Sequence, residues 1–444
     1  MSMAAPLATH LGTPTPLDRL GGGRWWKAAR HLLDGASPLA ALSPASGRSM
    51  LDGRAVRDDA LIARQGGVKY VVGADGALTA VPADTLAYDW SSGARELLLE
   101  GQATNYIQNS ALAGAALGVL GSGGSLPTGM TMSVAVGGDL VAAVTWIGSD
   151  EGVPAFDLRL YGQNTTTRFL NLSSDTQVSA VAGDTRTSSL KIAVVGGSPD
   201  GFPDLQLVLS ERKSGGTNAT GAPGTAVDIK PSASSKARRS LTRTCTATDC
   251  ASVLTYLRLP APTGPVDMTL RISMPQCEAG SAATSHIPTS GAAVTRPADV
   301  APLWSGAGAA TAWAWRGDVP ATFSGQLLLG ATGGSYMESG GADPTLLRLS
   351  GSLSAPMSGD VGVLPGMIGL CAGFGASGRT LCNAGKTPQQ DGIVADRSRA
   401  KMYVGGESGL AAGQVLRLRE LVAWRLPDRP SAAGCQSQAR PWSA

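Results

Sequence analysis

The chain has 444 residues and a formal net charge of +3, and charged residues make up only 16% of it. This balance, without a long run of Lys or Arg, argues against a nucleic-acid partner. Hydrophobic residues reach 43%, which excludes extensive disorder and is enough for two or three domains with their own cores. The 59 glycines and 27 prolines favour short strands and tight turns over helices, so the composition predicts an all-β protein.

The first segment, residues 1–105, is predicted to be a short mixed region. Residues 24–33 form the best helix candidate of the chain, with Gly35 as a stop signal. In residues 68–81 two alternating strands flank Asp75-Gly76, which predicts a β-hairpin. Because the segment has little apolar mass of its own, we interpret it as an attachment region.

The second segment, residues 106–299, carries closely spaced strand patterns that are typical of an antiparallel sandwich. Several of them alternate apolar and polar residues, as from Phe156 to Tyr161, which places one face in a core and the other in water. Residues 213–226 are rich in Gly, Ser, Asn and Thr and predict a long exposed hairpin loop. The predicted strands are 130–137, 140–147, 155–161, 167–172, 190–195, 204–209, 253–259 and 266–274.

The third segment, residues 300–430, repeats this style and predicts a second antiparallel sandwich in tandem with the first. Its clearest strands are 311–315, 323–330, 346–353, 401–404 and 415–424. Residues 371–386 are Gly-rich and predicted to be loop-like. The tail, residues 431–444, continues a Pro-, Ser- and Ala-rich stretch from Pro427 and is expected to be partly disordered or used in contacts.

Targeting signals are not apparent in the sequence. Residues 1–16 lack a cationic start followed by an apolar run, and no stretch approaches the roughly 18 apolar residues of a membrane span. We therefore expect a soluble product assembled in the cytoplasm, without membrane insertion.

The sequence contains no indication of a metal or another cofactor. The six cysteines form no C-x-x-C pair and only three histidines accompany them, so a structural zinc site is not expected. No loop has the spacing that specifies calcium. Buried, reduced thiols are the expected state, and Cys245/Cys250 and Cys371/Cys382 are the candidates for local bridges under oxidation.

Catalysis is not expected either. The chain contains no nucleophile elbow, no H-E-x-x-H and no phosphate-binding loop. Two carboxylates suffice for glycoside hydrolysis, so a capsule depolymerase stays as an alternative. The available acidic pairs all lie in turn-like surroundings: Asp150/Glu151, Asp391/Asp396 and Asp58/Asp59.

A carbohydrate-binding site fits the sequence better, because sugars pack on aromatic rings and bond to polar side chains around them. The competing interpretation is that aromatic residues on sandwich strands belong to the core. Trp313 and Trp315 lie on the same face of one strand, so both are buried or both displayed. The candidate binding residues are Trp146, Arg159, Tyr161 and Tyr256 in the second segment, and Trp313, Trp315 and Tyr336 in the third.

Two stretches resemble the head-spike and fibre proteins of bacteriophages and gene-transfer agents. Residues 88–110 match a "G-x-L-L-E-G-x-x-T-N-x-x-x-x-S" junction, and residues 275–299 match a "P-Q-x-E-x-G-x-x-A-T-S-x-I-P-T-x-G-x-x-V-T-R-x-A-D" run. With the preceding hairpin, the resemblance covers about residues 65–300 and implies a jelly-roll domain between the two motifs. More loosely, residues 402–406 and 415–427 resemble concanavalin A-like sandwiches.

The resemblance implies a spike on the surface of a virion or related particle that adheres to host polysaccharide. Because single protein–sugar sites are usually weak, we expect a homo-oligomer, a trimer, that gains avidity from several sites, with its N-terminal segment bound to a capsid or tail protein. A purely structural capsid or tail decoration is the alternative. We interpret the motif residues as architectural: we expect Glu100, Thr104 and Asn105 to bond to backbone groups, and residues 296–299 to close a domain.

Overall fold

The computed structural model describes most of the chain. The described residues are 31–133, 139–166, 168–174, 176–199, 202, 204–221, 224–229, 237–261, 263–319, 327–331, 336–339, 346–350, 357–360, 366–383, 386–394, 401–405, 410, 412 and 414–439. Within these residues the regular structure is almost entirely β-strand, which confirms the predicted fold class.

The strands fall into three groups along the chain. The first group is β1 (Ala40–Ser43), β2 (Arg48–Leu51), β3 (Arg54–Val56), β4 (Lys69–Val72), β5 (Leu78–Val81), β6 (Tyr88–Asp89), β7 (Glu96–Glu100) and β8 (Ala103–Asn105). The second is β9 (Gly118–Leu120), β10 (Gly123–Gly124), β11 (Met130–Ser133), β12 (Asp139–Asp150), β13 (Val153–Asn164), β14 (Arg168–Ser174), β15 (Val178–Ser179), β16 (Thr185–Gly197), β17 (Gln206–Arg212), β18 (Thr225–Asp228), β19 (Ala237–Thr244), β20 (Ser252–Ala261) and β21 (Gly264–Ala279).

The third group ends in the one α-helix of the described residues. It comprises β22 (Val294–Arg296), β23 (Ala301–Pro302), β24 (Ala312–Val319), β25 (Leu327–Ala331), β26 (Tyr336–Ser339), β27 (Leu346–Ser350), β28 (Met357–Asp360), β29 (Gly366–Gly375), β30 (Gly378–Asn383), β31 (Gln389–Asp391), β32 (Met402–Val404), β33 (Val415–Trp424) and α1 (Ala432–Gln438). Short 3-10 turns lie at Pro44–Ser46, Asp58–Ala60 and Ala307–Ala309. No helix in the described part of the chain is long and apolar enough to cross a membrane.

The first sandwich consists of two facing sheets. The seven-stranded sheet has the order β10-β9-β12-β13-β21-β16-β19, and the six-stranded sheet has the order β11-β14-β20-β17-β18 with β15 beside β20. Alternate residues of each strand point between the sheets, so Phe156 and Leu158 of β13 meet Leu257 and Leu259 of β20 in one core. Every strand predicted for residues 106–299 overlaps a strand of this sandwich, although the 130–137 prediction extends beyond the described residues.

A second sandwich follows. Its ten-stranded sheet has the order β3-β2-β1-β33-β24-β29-β30-β31, with β7 beside β33 and β6 beside β7. The facing six-stranded sheet has the order β23-β32-β25-β26-β27-β28. Trp315 and Leu418 from the first of these sheets pack in a common core with Leu329 and Val404 from the second. The predictions at 323–330 and 346–353 coincide with β25 and β27 in their described parts.

The N-terminal segment is part of this second sandwich. β1 pairs with β33 through Ala40 and Ala423, and β7 pairs with the other end of β33 through Leu97 and Leu418. The ten-stranded sheet therefore contains strands from before residue 105 and from after residue 300, so the predicted boundaries do not separate it from the N-terminal segment. The physical reason is that β7 is buried along its whole length and too short to be stable without β33 as a neighbour.

The hairpin predicted in residues 68–81 is confirmed. β4 and β5 pair antiparallel, and Gly76 takes a φ of 80° in the turn between them. Asp75 fixes this turn by accepting the N–H of Ala77 at 3.0 Å. The helix candidate at 24–33 lies mostly outside the described residues, and its end, Leu33, forms a β-bridge with Ala36.

The loop prediction for residues 371–386 is wrong for most of that range, because β29 and β30 form an antiparallel hairpin there. The glycines that suggested a loop have a packing reason. At Gly373 and Gly375 the segment from Asp428 to Pro430 leaves no space for a Cβ atom. Glycine therefore marks a close approach of two backbones here and not the end of a strand.

Residues 431–439 of the tail are used in contacts, which is one of the two predicted alternatives. The hydroxyl of Ser431 accepts the N–H of Gly434 at 3.0 Å and caps α1 at its N-terminus. Cys435 and Gln438 are buried against the outer face of the ten-stranded sheet, and Arg316 donates to the carbonyl of Gln438 at 2.5 Å. Residues 440–444 lie outside the described part of the chain.

The two motifs that carry the family resemblance meet in the structure. β8 from the first motif pairs with β22 from the second, and the hydroxyls of Thr104 and Thr295 bond across the pair at 2.8 Å. Asn105 donates to the carbonyls of Pro275 and Ile287 and accepts the N–H groups of two further residues. The expectation of side-chain to backbone bonding is therefore confirmed for Asn105, while Thr104 bonds to another side chain.

Five charged side chains form what we call the junction cluster: Arg64, Lys69, Glu100, Arg296 and Asp299. Their charged ends lie together where β4, β7 and β22 converge, and none of these side chains is more than 4% exposed. Lys69 Nζ lies 3.2 Å from Glu100 Oε2 and also contacts Asp299, and Arg64 Nη1 lies 2.8 Å from Asp299 Oδ1. Arg296 Nη2 lies 3.1 Å from Glu100 Oε2.

Burial and charge oppose each other inside the junction cluster. Burial would raise the pKa of Glu100, but Arg296, Lys69 and the hydrogen bonds from Ser285 hold it below the ordinary value. For Lys69 burial dominates and lowers the pKa, while Glu100 and Asp299 act in the other direction. Each of these charges is therefore tolerated only because its partners are present.

We predict that Asp299→Asn lowers the free energy of unfolding by about 3–5 kcal/mol, because it leaves Lys69 and Arg64 buried with one counter-charge fewer. Asp59→Asn is the matched control, since Asp59 pairs with Arg57 at the surface with exposed fractions of 55% and 86%. The control is expected to lose under about 1 kcal/mol. Urea denaturation measures both, and equal losses would contradict the role given to the cluster.

His286 lies next to this cluster and is 2% exposed, with its ring edge-on to Tyr70. Burial, and then the charge of Arg238, lower its pKa to about 3. The folded protein therefore holds His286 neutral, whereas the unfolded chain protonates it near its ordinary pKa of 6.5. This residue stabilises the fold least at acidic pH, because protonation then favours the unfolded chain.

We predict that between about pH 6.5 and pH 3 the free energy of unfolding falls more steeply in the wild type than in His286→Gln. The expected difference in slope is about 1.4 kcal/mol per pH unit. Urea unfolding at a series of pH values measures it, and the other two histidines are common to both proteins. Parallel pH profiles would show that His286 titrates normally in the folded state.

Candidate functional site

Three of the predicted binding residues lie on the outer face of the seven-stranded sheet. In β13 the alternation that buries Phe156 and Leu158 turns Arg159 and Tyr161 outward. Trp146 joins this face through a bulge in β12, after which it lies opposite Asp157. The structure thus brings Trp146, Arg159 and Tyr161 to one surface.

Both aromatic rings of this face are covered by guanidinium groups. Arg271, from β21, lies 4.0 Å from the ring centre of Trp146 and binds Asp157 through two hydrogen bonds of 2.8 and 2.9 Å. Arg159 repeats the arrangement with Tyr161 at 4.5 Å and with Asp267 at 2.9 and 2.8 Å. Hydrogen bonds from Arg159 lower the pKa of Asp267.

Arg271, Asp157 and Asp267 were not identified from the sequence. The alternation of β21 marks Asp267 and Arg271 as outward-facing, but their partners depend on which strand lies beside β21. Because each ring and each carboxylate of this face already has a partner, the face contains few groups that would gain an interaction from a ligand.

The outer face of the six-stranded sheet is different. Tyr256 lies on this side of the strand, because Leu257 and Leu259 point into the core, but its side chain is only 8% exposed, so it is not displayed as a platform in the way predicted. Phe169 of β14, opposite Pro260, lies on this face and is 57% exposed. Arg258 lies between the two rings, 5.5 Å from the centre of Tyr256 and 5.4 Å from that of Phe169.

The polar groups around these rings are held in position. Arg258 Nη2 donates to the Tyr256 hydroxyl at 2.8 Å, and Nη1 lies 3.4 Å from Gln206 Oε1. Asn171 lies opposite Arg258 in the strand register. Its Oδ1 atom is shielded from solvent and has no hydrogen-bond partner among the described residues. A buried acceptor without a donor is costly, so this amide would gain from a bound hydroxyl.

We call the group Phe169, Asn171, Gln206, Tyr256 and Arg258 the Phe169 face. Only Tyr256 was identified from the sequence. A sequence signal for Phe169 exists in retrospect, because it alternates with the core residues Leu170 and Leu172, which turns it outward. Arg258 alternates with Leu257 and Leu259 in the same way.

The predicted binding residues of the third segment are not displayed. Trp313 and Trp315 are 2% and 0% exposed and belong to the core of the second sandwich. They share one face of β24 as expected, and it is the buried one, which removes both from the candidate binding residues. Tyr336 lies in β26, but its side chain lies outside the described part of the structure.

The acidic pairs considered for catalysis are engaged by cations wherever they are described. Asp396 lies outside the described residues. The observed ion pairs are Asp150 with Arg271, Glu151 with Lys191, Asp58 with Arg95, Asp59 with Arg57, and Asp391 with Arg379.

The cysteines are buried thiols in the structure. Burial raises the pKa of Cys245 and Cys277 to about 12. The donor atoms of Cys245, Cys250 and Glu211 lie within 4.8 Å of one another. Glu211, however, already accepts a bond from Arg243 at 2.7 Å and two backbone N–H groups, so a metal ion would compete with a guanidinium.

Comparison with known proteins identifies no family. No family model matches the chain, and no curated protein sequence matches it. Among solved structures, a CBM4 module is 15% identical over 31% of this chain and 78% of its own length, with a TM-score of 0.22. The N-terminal CBM22-1-CBM22-2 tandem domain of Xyn10C from Paenibacillus barcinonensis is 12% identical over 70% of this chain and 99% of its own, with a TM-score of 0.25.

A third likeness is the enzymatically active domain of tailspike protein 4 from bacteriophage CBA120. It is 8% identical over 34% of this chain and 20% of its own length, with a TM-score of 0.24. All three TM-scores are below 0.5, so these likenesses carry no argument about the function of this chain.

We predict that Trp315→Ala lowers the free energy of unfolding by about 3–5 kcal/mol, because it empties a fully buried position. Trp146→Ala, at a half-buried surface position, is the matched control and is expected to lose less. Urea denaturation compares the two. A small loss for Trp315→Ala would show that the Trp315 ring is accessible and would restore it as a binding candidate.

Proposed function

We propose that the protein is a non-catalytic polysaccharide-binding protein and that the Phe169 face holds the sugar chain. The observation that carries this proposal is the large exposed ring of Phe169 beside the fixed polar groups of Arg258, Gln206 and Asn171. Phe169 is 57% exposed, and an exposed aromatic ring beside polar groups offers a sugar both an apolar surface and hydrogen bonds.

The chemistry of the face matches that of a sugar ring. The apolar C–H face of a pyranose packs against an aromatic ring, and its hydroxyls need donors and acceptors at the rim. Arg258 offers donors, and Asn171 has an unused acceptor that a hydroxyl could satisfy after a small rotation of the amide. The Gln206 amide already bonds to Asp204 and Arg258 and holds Arg258 in position. On the outer face of the seven-stranded sheet, around Trp146 and Tyr161, the arginines and carboxylates are already used in ion pairs.

We further propose that the protein works as a spike or fibre on the surface of a phage-like particle, where it adheres to host polysaccharide. The support is the resemblance of residues 88–110 and 275–299 to head-spike and fibre proteins. Single protein–sugar sites are weak, and a homotrimer bound to a capsid or tail protein would gain avidity from several sites.

A purely structural decoration protein is the second candidate. The observation that favours it is the complete burial of Trp313 and Trp315, so neither of the tryptophans predicted to bind sugar in residues 300–430 is displayed. The two candidates differ in whether the purified protein retains polysaccharide.

We predict that Phe169→Ala weakens binding to host capsular polysaccharide at least about tenfold, which corresponds to about 1.4 kcal/mol. Asn171→Ala is expected to weaken it as well, through loss of the amide. Leu117→Ala is the matched control, because Leu117 is 59% exposed and lies outside the Phe169 face. Biolayer interferometry with immobilised polysaccharide from candidate hosts measures affinity, and size-exclusion chromatography follows the chain length of the polymer.

Saturable binding without shortening of the polymer supports the adhesion function. Shortening of the polymer would identify a depolymerase instead. Failure of the full-length chain to bind polysaccharide from any candidate host would favour the structural decoration. Equal binding by Phe169→Ala and Leu117→Ala would place the site elsewhere.

A further inference from the structure

A concave surface lies apart from the Phe169 face, in the N-terminal part of the second sandwich. It is an open groove of about 1240 Å³ between the turns at residues 44–47 and 56–59 and the segment 84–95. We call it the Tyr88–Trp90 groove. Its volume exceeds the range of about 300–1,000 Å³ that is typical of small-molecule sites, so it suits an elongated ligand.

Two aromatic rings and one guanidinium line the groove. The guanidinium carbon of Arg95 lies 3.5 Å from the ring centre of Tyr88 and 5.9 Å from that of Trp90. Trp90 is half-buried, and its backbone is fixed by bonds to Val72 and Gly93. The groove therefore presents a partly exposed indole on a rigid turn.

Asp58 organises the polar side of the groove. It accepts the Tyr88 hydroxyl at 2.5 Å and the Ser49 hydroxyl at 2.6 Å, and it lies 3.4 Å from Arg95 Nη1. Burial and the charge of Asp58 raise the pKa of Tyr88, which keeps this hydroxyl protonated and donating. These side chains are in place before a ligand arrives, which lowers the entropy that binding must overcome.

Arg95 retains unused donors. Among the described residues its hydrogen bonds run only from Nη1, to Asp58 and to the carbonyl of Pro44. Its Nε and Nη2 atoms remain available beside the Trp90 ring. A guanidinium held against an aromatic ring and carrying free donors is suited to binding a pair of neighbouring oxygen atoms.

The charges of the groove decide between kinds of ligand. Arg57 pairs with Asp59 at 2.9 Å, Arg95 lies beside Asp58, and Arg64 is committed to the junction cluster. The lining therefore has no surplus of positive charge to attract a phosphate, a nucleic acid or an acidic polymer. Paired donors and acceptors next to aromatic rings match a ligand rich in neutral hydroxyls.

We propose that the Tyr88–Trp90 groove is a second glycan site, which binds a neutral, elongated oligosaccharide by stacking on Trp90 and by hydrogen bonds to Arg95. It is formed by the N-terminal segment, for which the sequence predicts only an attachment role. The groove does not depend on the Phe169 face, and with both sites one chain binds sugar at two separate surfaces.

Isothermal titration of the full chain with neutral hexasaccharides of glucose, mannose, galactose and xylose tests this proposal. The wild type is expected to bind two equivalents of a matching sugar, Trp90→Ala one, Phe169→Ala one and the double variant none. Trp90→Phe is the conservative control, because it keeps an aromatic surface and is expected to retain the second site. Thermal unfolding verifies that every variant is folded.

The outcomes separate this proposal from the proposed function. If Phe169→Ala abolishes all binding and Trp90→Ala changes nothing, the groove is not a glycan site while the Phe169 face stands. If Trp90→Ala abolishes all binding and Phe169→Ala changes nothing, the groove stands alone. Binding at the groove that requires an acidic polysaccharide and disappears with added salt overturns the neutral ligand class. No binding of any hexasaccharide by any of the proteins overturns the groove, while the Phe169 face is decided by the experiment with host polysaccharide.

Discussion

Lys69 is a charged side chain without solvent exposure, and the way the protein accommodates it connects the two sandwiches. Its ammonium group meets Glu100 at the end of β7 and Asp299 just before β23. Glu100 also accepts hydrogen bonds from the backbone N–H and the hydroxyl of Ser285, which follows the last long strand of the first sandwich. The cluster therefore ties the entry and the exit of the first sandwich to the second. An unpaired charge at this depth would be strongly unfavourable, so each charge of the cluster is tolerated only with its partners in place.

The first sandwich is inserted between strands of the second, and the junction cluster lies where the chain enters and leaves it. The chain builds β1 to β7, passes through the complete first sandwich, and returns to place β24 and β33 in the same sheet as β1 and β7. Strand β33, flanked by β1 and β7 on one side and β24 on the other, is central to this closure. The N-terminal segment is thereby part of the ten-stranded sheet, and the Tyr88–Trp90 groove is formed beside its strands.

The two outer faces of the first sandwich illustrate how similar residue types serve different ends. On one face, Arg271 and Arg159 each cover an aromatic ring and bind a carboxylate, so the interactions are complete within the protein. On the other, Arg258 lies beside Phe169, whose ring is largely in water, and near the partnerless Asn171 acceptor. A ligand gains most where the protein has left groups without partners. The Phe169 face therefore differs from the outer face of the seven-stranded sheet in its unpartnered groups and not in its number of aromatic residues.

The fold class, the β4–β5 hairpin and the positions of most strands could be predicted from the sequence, because turn chemistry and two-residue alternation are local properties. The same alternation established that Trp313 and Trp315 share a face. The burial of that face, the hairpin of residues 371–383 under the segment at 428–430, and the display of Phe169 became known only from the folded chain. Those outcomes depend on which strands become neighbours, and β1 and β33 pair although nearly the whole chain separates them. No local pattern encodes such a pairing, since it arises from the burial of apolar faces and of charges that find their partners only after folding.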